Sequence, residues 1–85
     1  MSFIYIVVEN GEAYPVAYTK YASAVEAVKA KHKDYLEEQI KMLTYLEDIE
    51  SMLKDINVPE NTTTGISQLY IEKGINITIQ KVPIV

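Results

Sequence analysis

His32 is the lone histidine of the chain, and imidazole is the side chain best suited to moving a proton near neutral pH. A catalytic role would require it to meet an activated nucleophile or a carboxylate within a cleft. Its spacing, between Val28 and Tyr35 on one helical stripe, reads instead as a partly buried or interfacial imidazole with no catalytic task. One histidine and no cysteine cannot supply the three or four ligands of a histidine-based zinc site. The lack of cysteine also removes any thiolate nucleophile and any disulfide staple. Glu47, Asp48 and Glu50, with nearby Asp55, form the densest acidic cluster. Their spacing is not that of a calcium loop and no glycine bends the backbone around an ion, so they read as a solvated helical face. The chain contains no Gly-rich phosphate loop, nucleophile elbow or paired-acid motif, so no catalytic residue, metal or cofactor is expected.

Seven tyrosines in 85 residues are the remaining candidates. Tyrosine is enriched at interfaces because its ring is apolar while its hydroxyl can stay wet. Tyr14 and Tyr18 share a strand parity and Tyr21 lies at the following junction, so these three define a candidate binding patch, with coverage of a sheet edge as the alternative. Nucleic acid is disfavoured as a partner. All eight basic residues are lysines, arginine is absent and the net charge is −4, whereas bidentate recognition of phosphate or guanine is characteristically an arginine task. The sequons at Asn61 and Asn76 carry little weight without a secretory signal.

The elements that position these residues follow from periodicity. Phe3 to Val8 is a β-branched and aromatic run, Asn10-Gly11 is a hairpin signal, and Glu12 to Tyr18 resumes as a second strand. Pro15 within that strand removes a ladder donor and favours an edge or a bulge. Thr19 can cap a helix beginning at Lys20, and no glycine or proline interrupts the chain from there to Asp55. Asn57-Val58-Pro59 stops it. After the polar turn at Asn61–Gly65, Gln68 to Glu72 and Ile75 to Pro83 read as two strands around Lys73-Gly74. The expected fold is α+β, with element order β-β-α-β-β: a four-stranded antiparallel sheet covered on one face by one long amphipathic helix, straight or bent. The chain is expected to form a single domain of hairpin 3–18, helix 20–55, turn segment 57–66 and hairpin 68–83. Ile4, Ile6, Val8, Val25, Val28, Ile71, Ile75, Ile77 and Ile79 are the predicted core.

The helix does not fit a monomer. Thirty-six helical residues extend about 54 Å, whereas a six-residue strand extends only about 20 Å. Yet the apolar stripe continues through Tyr35, Gln39, Met42, Leu46, Ile49 and Leu53, flanked by Leu36, Ile40 and Leu43, in the manner of a coiled-coil seam. Residues 20–33 carry a net charge of +3 and residues 34–55 a net of −5, which opposes the dipole of a single helix. Antiparallel pairing of two copies would relieve both problems; a hairpin bent near His32 to Leu36 is the alternative. Tyr35, Gln39, Met42, Leu43, Leu46, Ile49 and Leu53 are therefore the candidate oligomer interface.

The opening hairpin, followed by Tyr18-Thr19-Lys20-Tyr21 and an alanine-rich helix, resembles the start of HicB-type antitoxin folds over about the first thirty residues. The long helix and second hairpin depart from that pattern.

The functional expectation is a small non-enzymatic interaction or assembly protein, homo-oligomeric with a dimer favoured, and open to a protein partner. The alternative is a small ligand-binding module holding a nucleotide-like molecule between subunits. The apolar N-terminal run is too short for a membrane span and lacks a basic region ahead of it, so a cytoplasmic protein with no membrane association is expected. The lysine, isoleucine, asparagine and tyrosine bias matches AT-rich codons and points to a low-GC microbe, a phage or a large DNA virus as source.

Overall fold

A computed structural model describes residues 2–72 and 74–84. The elements are β1 (Ser2–Glu9), β2 (Glu12–Ala13), α1 (Tyr21–Lys31), α2 (Lys33–Met42), α3 (Leu46–Ile56), β3 (Ile66–Tyr70) and β4 (Asn76–Ile84). The strands form one antiparallel sheet in the order β2-β1-β4-β3, so the α+β class and the four-stranded sheet are as expected. The element order is not: it is β-β-α-α-α-β-β, and the single long helix is three helices.

The first hairpin turns through Asn10 at φ 50° and Gly11 at φ 85°, the paired left-handed conformation of a two-residue hairpin turn. Pro15 ends β2 after two residues. The chain bulges and then rejoins β1 at a single bridge, where Tyr18 and Tyr5 exchange backbone hydrogen bonds of 2.6 and 2.9 Å. Lys73, half of the predicted second turn, lies outside the described residues; Gly74 beside it has φ 91°.

The expected cap at Thr19 is not used. The residue before α1 is Lys20, which makes no side-chain capping bond. The helical run then breaks twice without glycine or proline. His32, at φ −103° and ψ 21°, kinks the chain between α1 and α2, and Leu43 and Tyr45 are extended, with ψ of 129° and 135°, between α2 and α3. Charge explains why three helices suit this sequence better than one. α1 has Lys29 and Lys31 in its last turn, α2 has Asp34 first and Lys41 last, and α3 has Glu47 and Asp48 first and Lys54 last. A pattern that opposes the dipole of one long helix favours both ends of α2 and α3 and the last turn of α1, by about 0.3–1 kcal/mol at each, though the first turn of α1 carries no acid. Thr44 and Tyr45 at the second break are also weaker helix formers than their neighbours. Reversal there returns Ile56 to the sheet, where it is 1% exposed.

The core joins Val7, Ile77, Ile79 and Leu69 of the sheet to Ala24, Val25 and Val28 of α1, Leu36 of α2 and Ile56 of α3. Val25, Val28, Ile71, Ile77 and Ile79 are buried as predicted, and Ile75 packs against them half-buried. The expected parity of β1 is reversed. Tyr5 and Val7 face the helices, while Ile4, Ile6 and Val8 lie on the opposite face and are only half-buried. A continuous apolar strand offers no alternation from which to read its inward face, so pairing decides: Val7 opposes Ile79 in the register and shares its face.

Candidate functional site

The arm made by α2 and α3 carries most of the predicted interface. Met42 and Leu46 are 69% exposed, Leu53 is 37% exposed, and Tyr35, Gln39, Leu43 and Ile49 are half-buried. The break at Leu43–Tyr45 places Met42 and Leu46 at the tip of the arm rather than along a straight seam. It adds Tyr45, 66% exposed, with Ile40 at 37%. Tyr45 was missed because counting helical period through Thr44 puts it beside the stripe, not on it. Where the two helices diverge toward the sheet they leave an open groove of about 520 Å³, lined by Tyr35, Leu43, Asp48, Met52, Asp55, Tyr70 and Glu72. Its carboxylates make it an acidic groove with two aromatic walls.

The three tyrosines of the predicted patch lie on the helix side of β1 and pack half-buried against the core. The Tyr14 hydroxyl donates to Glu9 Oε1 at 2.9 Å and the Tyr21 hydroxyl to the Val58 carbonyl at 2.7 Å. The Tyr21 ring stacks on Tyr5 with centroids 6.0 Å apart. Tyr5 in turn donates to Glu60 at 2.9 Å, beside Lys81. Burial, reinforced by that carboxylate, raises the Tyr5 pKa.

His32 meets a carboxylate, a contact across 23 residues of sequence that no local pattern announces. Its Nε2 lies 2.7 Å from Glu9 Oε1; an ionised carboxylate can only accept, so this nitrogen carries the proton. Lys31 Nζ donates to Glu9 Oε2 at 2.9 Å and also sits 4.8 Å from the centre of the Tyr14 ring. Burial alone would raise the Glu9 pKa, but donation from His32, Lys31 and Tyr14 prevails and lowers it to about 2. Tyr14 moves the other way, pushed up by burial and then by the Glu9 charge. The carboxylate is thus held ionised by three donors, which suits a clamp between the first hairpin and the α1–α2 kink. A proton acceptor so weak at neutral pH is a poor general base. The described residues contain no group of three histidine, aspartate or glutamate side chains able to hold a metal ion, and no buried side-chain polar atom among them lacks a partner. None of the described helices is long and apolar enough to cross a membrane.

Comparison of the chain with protein-family models, curated proteins and solved structures returned no match. The HicB-type likeness of the opening residues therefore carries no argument about function.

Proposed function

We propose that this chain is a small non-enzymatic interaction or assembly protein that self-associates, as a dimer in the first instance, through the tip of the α2–α3 arm. The observation that carries the reading is the exposure of Met42, Tyr45 and Leu46, each about two-thirds open to solvent around the break between α2 and α3. Three adjacent large apolar side chains at a projecting tip form the kind of anchor cluster that interfaces bury. A second copy suits the tip electrostatically. Glu47, Asp48 and Glu50 flank it, and Lys33 at the start of α2 is exposed, so two arms laid side by side in opposite directions set opposite charges against each other. Lys33 is tied only loosely within its own chain, at 3.9 Å from Glu37. Such pairing orients partners more than it strengthens them.

The ligand-binding reading has the acidic groove as its natural site, but Asp48, Asp55 and Glu72 would repel a phosphate-bearing ligand, which weighs against a nucleotide there. A thermal-shift screen against nucleotides and metabolites should be flat for an assembly protein, and a saturable rise would favour the ligand reading.

The direct test is sedimentation of the unmodified chain and of the Leu46→Lys, Ile49→Lys variant. The parent should sediment above 9.7 kDa at micromolar concentrations and the variant as a folded monomer, since Leu46 is exposed and the half-buried Ile49 lies outside the core cluster. A parent that stays monomeric overturns the proposal.

A further inference from the structure

The helices cover one face of the sheet and leave the other open. On the open face, β1 contributes Ile4, Ile6 and Val8, β3 contributes Ile66, and β4 contributes Val82 and Ile84, brought side by side by the register Ile4↔Val82 and Ile6↔Gln80↔Ile66. Ile66 and Ile84 are 48% and 43% exposed. The polar positions of the same face are Thr78, Gln80, Gln68 and Asn76, with Ser2 and Tyr70 at its margins. None of the twelve alternate side chains that β1, β3 and β4 present here is charged. A water-facing surface carries roughly 25–35% charged residues, so three or four would be ordinary.

We infer that this face packs against the same face of a second copy, sheet on sheet, at a surface separate from the arm. The chain carries a net charge of −4, so most self-contacts meet like charge, and this neutral face meets none. It also offers nothing to steer or hold an ionic ligand or an oppositely charged partner. Size sets the strength. β1 and β4, eight and nine residues long, extend about 27–31 Å, and four strands span about 15–19 Å. With β2 and β3 only two and five residues long, two copies would bury about 800 Å², less than a stable interface needs and in the range of a weak, transient pair. The pair would be two aligned sheets about 10 Å apart with interdigitated isoleucines and valines. Both helical layers would face outward, leaving each arm free, so a chain with both surfaces could build assemblies larger than a dimer.

The two surfaces are separated by working in the Leu46→Lys, Ile49→Lys background, where the arm is disabled. Sedimentation equilibrium of that variant should still show a weak dimer at high protein concentration, and adding Ile66→Lys with Ile84→Lys should weaken it by about tenfold or more, because each ammonium would have to be buried. Both positions are close to half-exposed, so the melting temperature of the dilute monomer should hold. A dilution series followed by amide NMR guards against misfolding of the variants: concentration-dependent shifts should concentrate on β1, β3 and β4. An arm variant that is strictly monomeric at millimolar concentration, or shifts confined to the helices, would overturn the inference whatever the fate of the arm proposal. Binding of the chain to neutral phosphatidylcholine vesicles without sheet-mediated pairing would assign the face to lipid and overturn it equally.

Discussion

At the base of the molecule Val28, Ile56, Ile77 and Ile79 are 0–1% exposed, whereas on the arm Met42, Tyr45 and Leu46 are 66–69% exposed. Both sets are large apolar side chains, and the difference lies in what stands opposite. The base has a sheet on one side and helices on the other, whereas around the α2–α3 break no described residue covers Met42, Tyr45 and Leu46. Amphipathic periodicity therefore reports that a face needs a cover, and topology within the chain supplies that cover for only half of the stripe.

The contrast breaks most sharply under truncation at the base. Ile77→Ala should destabilise the domain by about 2–5 kcal/mol, a large share of what a domain this small possesses. Urea denaturation checks it: an unchanged midpoint would mean that Ile77 does not carry the core. Next in size is the contrast between the two faces of β1. Val7→Ala should cost about 2 kcal/mol, and Ile6→Ala clearly less in dilute solution, because Val7 is fully enclosed and Ile6 only half so. Equal costs would mean that the open face of the sheet is already covered at the concentration used, which a dilution series would reveal.

Much of the base is readable from residue order and much of the arm is not. Alternation of Ile75, Ile77 and Ile79 with Asn76, Thr78 and Gln80 reveals the inward face of β4 directly. Phe3 to Val8 lacks alternation, and its parity emerges only through pairing with β4. The break at Leu43–Tyr45 has no glycine or proline to mark it, yet a signal was present: acids at Asp34 and at Glu47-Asp48, each preceded by lysines or ended by one, mark helix starts and stops. Read as one helix that pattern is a conflict, and read as three it is a set of boundaries. The Glu9–His32 contact had no such signal, since two residues 23 apart meet through the relative placement of a hairpin and a helix.

A smaller effect comes from the clamp that joins base to arm. Glu9 has a pKa lowered to about 2 in the folded chain, against an ordinary value of 4.5. A depressed carboxylate contributes stability that is fully present above about pH 4.5 and lost as pH falls through about 2. Partial exposure of the network screens it, so the contribution is on the order of 1 kcal/mol. Subtracting the acid limb of the Glu9→Gln unfolding profile from that of the parent should isolate the loss between pH 4.5 and 2. Identical limbs would mean that the three donors hold Glu9 no better than water does.

The smallest effect on stability belongs to the arm, and it sharpens the comparison most. Leu46 is 69% exposed, so in dilute monomer Leu46→Ala removes little buried surface and should cost no more than about 0.5 kcal/mol, the range of a plain surface change. The same substitution removes part of an anchor if the tip joins chains, and truncating an interface anchor costs roughly 2 kcal/mol or more of association, over tenfold in the dissociation constant. Leu46→Ala should therefore leave the dilute melting temperature unmoved while shifting the association midpoint upward in concentration. Raised salt should slow association further by screening Glu47, Asp48 and Glu50 from the partner's lysines. If Leu46→Ala instead lowers the dilute melting temperature as Ile77→Ala does, the tip is packed within its own chain. The arm would then be a second core rather than a surface awaiting one.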